Sequence, residues 1–107
     1  MIYIASPFTH ESIAVMHERY EKVAKLCATY ILLGDHVYSP IVHCRPIANY
    51  IREKTNWEFW RHFDLHMLSL ATDLWVYELD GWKESVGVQA EIQFAEENNI
   101  PVSYIGE

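Results

Sequence analysis

The sequence predicts an α/β fold, in which a parallel sheet of about four strands carries helices on both faces. Short apolar runs alternate with longer stretches whose apolar residues recur every three or four positions. Proline, glycine or asparagine separates these segments. The length of 107 residues fits one domain. We therefore expect residues 1–107 to form a single Rossmann-like or flavodoxin-like three-layer sandwich.

The first half of the chain predicts two strands and one long helix. Residues 2–5 are apolar and are followed by Ser-Pro, which ends a strand. Residues 10–33 carry apolar side chains at helical spacing, and Gly34 directly after them is a typical helix stop. Residues 35–39 predict a second strand, which Pro40 closes.

The second half predicts two more helices and two more strands. Residues 41–55 are ambiguous and favour a loop through 43–46 with a short helix after it. Asn56 is a typical N-cap for a helix that runs to about residue 70. The remaining strand, helix and strand are expected at residues 73–78, 85–98 and 101–105. Right-handed crossovers then give the strand order 2-1-3-4.

Composition and charge favour a protein that acts on small molecules. The net charge of −7 argues against binding nucleic acid, which needs a basic surface. No apolar run is long enough to span a membrane, and the first residues lack a signal-peptide pattern, so we expect a cytoplasmic protein. Aromatic residues make up 14% of the chain, more than a small core hides, and this favours a homo-oligomer, a dimer or higher.

Metal binding is not favoured by the histidines and cysteines. His62 and His66 lie four residues apart on a helical pattern, but no third ligand follows at a convincing spacing. Cys27 and Cys44 have no metal-type spacing either, and they fit a reduced compartment. We expect neither a metal nor an organic cofactor.

Two turns follow strands of the predicted sheet, at residues 3–8 and 84–91. Ligands of open α/β sheets bind at the carboxyl ends of strands. Ser85 and Gly87 begin a helix whose N-terminus suits a phosphate, and Glu91 lies about two turns further on. Ser85 acting only as an N-cap, and Glu91 as a solvated surface residue, are the ordinary alternatives. The pattern indicates chemistry on a small sugar phosphate.

Further polar and aromatic residues are candidates for the same site. Asp64 lies in an aromatic helix, where a charge needs a partner, so a catalytic role is as plausible as a structural one. Trp82 precedes Ser85 and is placed to stack on a base. Weaker candidates are Trp57, Trp60, His43 and Arg45. Simple loop polarity is slightly favoured for the last two.

The two turns resemble those of the nucleoside 2-deoxyribosyltransferases and the related nucleoside 5′-monophosphate N-glycosidases. Residues 2–8 read Ile-Tyr-Ile-Ala-Ser-Pro-Phe, similar to the N-terminal strand and turn of that family. Residues 85–91 read Ser-Val-Gly-Val-Gln-Ala-Glu, similar to its Gly-X-Gly-X-Glu segment. Asp64 matches an Asp on the preceding helix, and Gly81-Trp82 resembles a small phage and bacterial subgroup.

The resemblance implies a mechanism and a set of site residues. Glu91 would be the nucleophile that attacks C1′ of a ribose or deoxyribose, and Asp64 would move a proton at the departing base. Tyr3 would orient Glu91 or line the sugar site. The substrate-binding residues would be Ser6, Pro7, Phe8, Trp82, Ser85 and Gly87.

This chain departs from the family pattern at three positions. Ser6 and Gln89 stand where Gly is usual, and both would narrow the pocket. Ser85 stands where the transferases carry Asp, and Ser is what the monophosphate hydrolases carry there. An Asp would repel a phosphate, whereas a Ser hydroxyl would bind one, so the substrate is expected to be a nucleotide more than a nucleoside.

Three function classes stay open at this point. The first is cleavage of a nucleotide N-glycosidic bond, or transfer of its deoxyribosyl group. The second is an inactive nucleotide-binding or sensing module of the same fold, which Gln89 favours modestly. The third is an interaction domain that uses its aromatic residues to oligomerise.

Overall fold

The computed structural model describes all 107 residues and contains a parallel sheet in the strand order β2-β1-β3-β4. Both the α/β class and the predicted order 2-1-3-4 are confirmed. The elements in chain order are β1 (Ile2–Ala5), α1 (Ile13–Leu32), β2 (Val37–Tyr38), α2 (Pro40–Ala48), α3 (Trp57–Ser69), β3 (Asp73–Glu78), a 3₁₀ turn (Trp82–Glu84), α4 (Val86–Glu97) and β4 (Val102–Gly106).

The sheet carries apolar clusters on both faces because side chains alternate along β1. Ile4 packs with Val23 and Cys27 of α1 on one face. Tyr3 and Ala5 point to the other face, where they join residues of α3 and α4. The members contributed by these two helices are Leu68, Val88, Ile92 and Ala95. One central strand therefore anchors both layers of helices.

Side-chain caps fix where the helices begin. The Asn56 side chain accepts a hydrogen bond from the Phe59 amide at 3.1 Å. The Ser85 hydroxyl accepts one from the Val88 amide at 3.2 Å. Both predicted caps are confirmed. Ser12 caps α1 in the same way, so this helix begins three residues later than the periodicity predicts.

The segment after β2 differs from the prediction. Residues 43–46 were expected in a loop, but they lie inside α2, and the helix expected after them is absent. Ser39 caps α2 and Pro40 occupies its first turn, where the missing amide hydrogen is not needed. Pro46 lies close to the last residue of the helix and does not prevent it from forming. None of the helices is both long and apolar enough to cross a bilayer.

Candidate active site

A cavity of about 1200 Å³ opens where the strands end. Its walls come from the segment after β1, from α2, from the first half of α3 and from the connection between β3 and α4. The proposed site residues that line it are Ser6, Phe8, Asp64, Trp82, Ser85, Gly87 and Glu91. The topology thus brings together segments that are far apart in sequence, because parallel strands expose their carboxyl ends on one edge.

Tyr3 and Glu91 form the buried centre of this arrangement. The Tyr3 hydroxyl donates a hydrogen bond to Glu91 Oε2, across 88 positions of sequence. Tyr3 is fully buried and Glu91 is 4% exposed. Tyr3 does not line the cavity, whereas Glu91 does. Tyr3 therefore holds the Glu91 carboxylate from the side of the sheet, away from the cavity.

Burial changes the protonation of both carboxyl groups. Desolvation raises the pKa of Glu91 to about 8, although the Tyr3 hydrogen bond acts in the opposite direction. Desolvation also raises the pKa of Asp64 to about 7. The negative charge of Asp64 further raises the pKa of Glu91, so the two groups titrate as a coupled pair. One of them can carry a proton near neutral pH while the other is ionised.

Three buried polar atoms have no hydrogen-bond partner: Ser6 Oγ, Asp64 Oδ1 and the Tyr38 hydroxyl. Ser6 and Asp64 both line the cavity and are 5% and 6% exposed. Buried polar groups in native proteins are almost always paired. An unpaired hydroxyl and an unpaired carboxyl oxygen in the lining of one cavity therefore suit a polar ligand.

The N-terminus of α4 presents Ser85 to the cavity. The Ser85 oxygen accepts the bond from Val88, which leaves its hydroxyl hydrogen free to donate. The first amides of a helix have no partner within it, and they attract anions. Gly87 was expected to let a ligand approach the backbone. Gly87 lines the cavity, and this role stays a prediction. A side chain there would also meet the Trp57 ring at 3.3 Å, so the small size of Gly87 admits that tryptophan.

Trp57, Trp60 and Trp82 all line the cavity, as the sequence suggested. Trp82 packs on Tyr104 at a ring distance of 5.6 Å. Pro7 is buried but is not part of the lining.

The two candidates on α2 have separate surroundings. His43 is exposed, lies outside the cavity lining and stacks on Phe63. Arg45 lines the cavity. Its guanidinium carbon lies 4.7 Å from the ring centre of Tyr20 and 5.6 Å from that of Phe8. The expected loop position of Arg45 was therefore wrong, since this residue lies on a helix that lines the cavity, and its role in binding stays a prediction.

Sequence reasoning also missed Arg19, which joins two loops of the site. Its guanidinium donates to the carbonyl oxygens of Thr9 at 3.1 Å and Asp80 at 2.9 Å. These carbonyls belong to the segments after β1 and β3. Gly81 has a φ of 92°, and a side chain there would collide with the guanidinium. Nothing local in the sequence signals this contact, because its partners are remote along the chain.

Two further expectations concern Gln89 and the histidine pair. Gln89 was expected to crowd the pocket, but its side chain is exposed and donates to the Trp82 carbonyl at 3.4 Å, outside the cavity lining.

His62 and His66 are exposed on α3. No three histidine, cysteine or acidic side chains are grouped closely enough to hold a metal ion.

Comparison with known proteins supports the α/β fold. The model of the family described as a domain of unknown function, DUF1937, matches residues 1–107. A solved structure of the 2-deoxyribosyltransferase from the psychrotolerant bacterium Bacillus psychrosaccharolyticus is similar, with a TM-score of 0.68 and 27% identity. The similarity covers 98% of this chain and 71% of the other. That enzyme is described as a biocatalyst for the synthesis of nucleosides. No curated protein sequence matches significantly.

Proposed function

The chain belongs to the DUF1937 family, a domain of unknown function, and from its site we propose an enzyme that acts on the N-glycosidic bond of nucleotides. It cleaves a nucleoside or deoxynucleoside 5′-monophosphate, or transfers its deoxyribosyl group, through a covalent glycosyl ester on Glu91. The similarity to a 2-deoxyribosyltransferase supports glycosyl transfer in general.

The observation that carries this proposal is the buried contact between Tyr3 and Glu91 beside Asp64. A carboxylate buried to this degree destabilises a protein unless it has a partner. Here the partner is a tyrosine hydroxyl that holds Glu91 at the edge of a cavity. A fixed nucleophile next to a second carboxyl group is what a retaining glycosidic reaction requires.

In the first step Glu91 acts ionised and Asp64 acts protonated. The carboxylate of Glu91 attacks C1′ through an oxocarbenium-like transition state, and the C1′–N bond breaks with its electron pair passing to the base. Asp64 gives its proton to the departing base. Burial raises the pKa of Asp64 to about 7 and that of Glu91 to about 8, so the reactive form is the minor one in which the single proton of the pair lies on Asp64. Tyr3 stabilises the ionised form of Glu91 by donating to it.

In the second step the glycosyl ester is resolved. Either water or a second base attacks C1′, and the Glu91 carboxylate leaves. Asp64, now ionised, accepts the proton of the attacking group. Hydrolysis and transfer therefore share the first step and differ only in the nucleophile of the second.

Ser85 supports a phosphorylated substrate. Its free hydroxyl hydrogen and the first amides of α4 offer donors, and Ser85 itself carries no charge, although the neighbouring Glu84 also lines the cavity and does not favour an anion. Ser6 adds a second buried hydroxyl on the same cavity. The inactive nucleotide-binding alternative rested on Gln89, and that side chain lies outside the cavity, so no observation now favours it.

The proposal is tested by incubating the protein with ribo- and deoxyribonucleoside 5′-monophosphates, beside the matching nucleosides, and measuring free base by chromatography. We expect base release from the monophosphates and its loss in Glu91→Gln. The matched control is Glu96→Gln, which removes an exposed carboxylate from the same helix.

Three outcomes contradict parts of the proposal. Undiminished release in Glu91→Gln removes Glu91 as the nucleophile. Release from nucleosides but not from monophosphates removes the role of Ser85. Tight nucleotide binding without any base release indicates the binding module instead.

A further inference from the structure

The strand order divides the cavity into two walls on opposite sides of β1. The connection that carries Ser85 follows β3, whereas α2 follows β2, and β1 lies between these two strands. Glu91 contacts Tyr3 of β1 and therefore lies in the middle. A ligand that reaches from Ser85 across Glu91 comes next to α2.

Arg45 is the cation that α2 presents on its wall. The flat faces of Phe8 and Tyr20 hold its guanidinium, and no carboxylate forms an ion pair with it. Its one polar neighbour is His17 Nδ1, 3.4 Å from Nη1. An Arg group stacked on aromatic rings is oriented in advance, so it loses little freedom when it donates to a ligand.

The lining contains two further Arg or Lys side chains, and both are less suited to binding a ligand. Arg19 already donates to backbone carbonyls on two loops. Lys83 is exposed and lies over the Trp82 ring. Arg45 is thus the half-buried guanidinium in this cavity that keeps donors free.

We propose that Arg45 recognises the base and selects a 6-oxopurine, guanine or hypoxanthine. This proposal rests on the proposed function, because it takes the phosphate to lie at Ser85 and the sugar at Glu91, which turns the base toward α2. The O6 and N7 atoms of a 6-oxopurine are two adjacent acceptors that match the fork of a guanidinium. Adenine presents an amino group in place of O6, and this donor would face the donors of Arg45.

The same contact helps the base to leave. When the C1′–N9 bond breaks, its electron pair passes to the purine, and negative charge spreads toward O6 and N7. A guanidinium at these atoms stabilises that charge while Asp64 delivers its proton to N3 on the other edge. Asp64 and Arg45 both line this cavity, so both can reach one bound base. The proton and the cation thus act on different atoms of one leaving group.

The test compares inosine and adenosine 5′-monophosphates, in ribo and deoxy forms, which differ at position 6 and at N1 of the base. We expect kcat/KM of the wild type to be roughly 10- to 100-fold higher for inosine monophosphate than for adenosine monophosphate. Arg45→Gln should lower kcat/KM for inosine monophosphate. It should raise the ratio of kcat/KM for adenosine monophosphate to that for inosine monophosphate, because a Gln amide pairs with N6 and N7 of adenine. Arg45→Lys keeps the charge but loses the paired donors of the guanidinium. Its preference for inosine monophosphate over adenosine monophosphate should therefore lie between that of the wild type and that of Arg45→Gln.

Arg61→Gln is the matched control, because Arg61 is exposed on α3 and does not line the cavity. Melting temperatures of all variants show whether each is folded. Equal wild-type rates on inosine and adenosine, or an equal loss on both in folded Arg45→Gln, would overturn the role of Arg45 while leaving the glycosidic reaction intact.

If the wild type cleaves no nucleotide, the proposed function itself fails. Calorimetry with the same two monophosphates then decides about Arg45. Preferential binding of inosine monophosphate that Arg45→Gln abolishes supports its role in base recognition, and equal or absent binding contradicts it.

Discussion

Tyr3 and Ile4 are neighbours on β1, and both are fully buried, but they face opposite sides of the sheet. Ile4 enters an apolar cluster with Val23 and Cys27. Tyr3 enters a face that also buries two carboxyl groups, those of Asp64 and Glu91. Two side chains one position apart thus belong to very different environments.

This difference separates what stabilises the fold from what serves the site. Burial of apolar side chains on the α1 face contributes stability directly. Burial of Asp64 and Glu91 raises the pKa of each, which means that the folded state disfavours their charged forms. The face of the sheet that buries these two carboxyl groups is therefore less stable than an apolar face, but it provides the groups that the reaction needs. Four substitutions test this interpretation.

Asp64→Asn should produce the largest effect on activity among the variants that keep the Glu91 nucleophile. The amide cannot deliver a proton, so we expect kcat to fall by about 10²–10⁴-fold while the protein stays folded. Release of base by the variant is measured beside Asp73→Asn, which lies at the amino end of β3, away from the site. Full activity of Asp64→Asn would show that the departing base needs no acid from this face.

Tyr3→Phe should lower activity by about 10- to 100-fold, the value of a hydrogen bond to a charged group. The wild-type rate should pass through a maximum between the two coupled titrations, near pH 7 and 8, because the reaction needs the pair to hold a single proton, carried by Asp64 in the reactive form. Without the Tyr3 donor the pKa of Glu91 rises further, so the maximum should shift to higher pH. Tyr77→Phe, which packs on the α1 face, should leave the profile unchanged.

Glu91→Gln should stabilise the protein as the pH rises. The pKa of Glu91 is about 8 in the folded state and 4.5 in an ordinary setting. Between these values the unfolded chain releases the proton that the folded chain retains, so wild-type stability falls with increasing pH. Because Gln cannot ionise, the stability of Glu91→Gln does not fall in this way as the pH rises.

We therefore expect the melting temperature of Glu91→Gln to be close to that of the wild type at pH 5 and at least about 5 °C higher at pH 8.5. The exposed Glu96→Gln serves as the control and should show no such trend. A difference that does not grow with pH would mean that Glu91 is ionised in the folded protein throughout this range.

Ile4→Val should have the smallest effect and no effect on chemistry. Removing one methylene from the α1 cluster costs about 0.5–1.5 kcal/mol of unfolding free energy, measured by urea denaturation. Base release should be unchanged, because the opposite face holds the site. A clear loss of activity would show that the two faces are coupled through β1.

The sequence by itself determined the order of the strands, the bounds of β3 and the caps at Asn56 and Ser85. These features follow from local periodicity, capping chemistry and the handedness of crossovers, all of which act over short stretches. Helix α2 was missed because proline usually ends elements, and here one proline begins a helix while another stands near its end.

Only the tertiary structure decided which side chains meet. The Tyr3–Glu91 hydrogen bond and the Trp57 ring over Gly87 join residues that no local pattern connects. Arg45 reaches the cavity because α2 packs against α1 and places the guanidinium over Phe8 and Tyr20, a placement that no residue in its own segment predicts. Such contacts depend on how helices pack on the sheet, and packing is set by the whole core at once.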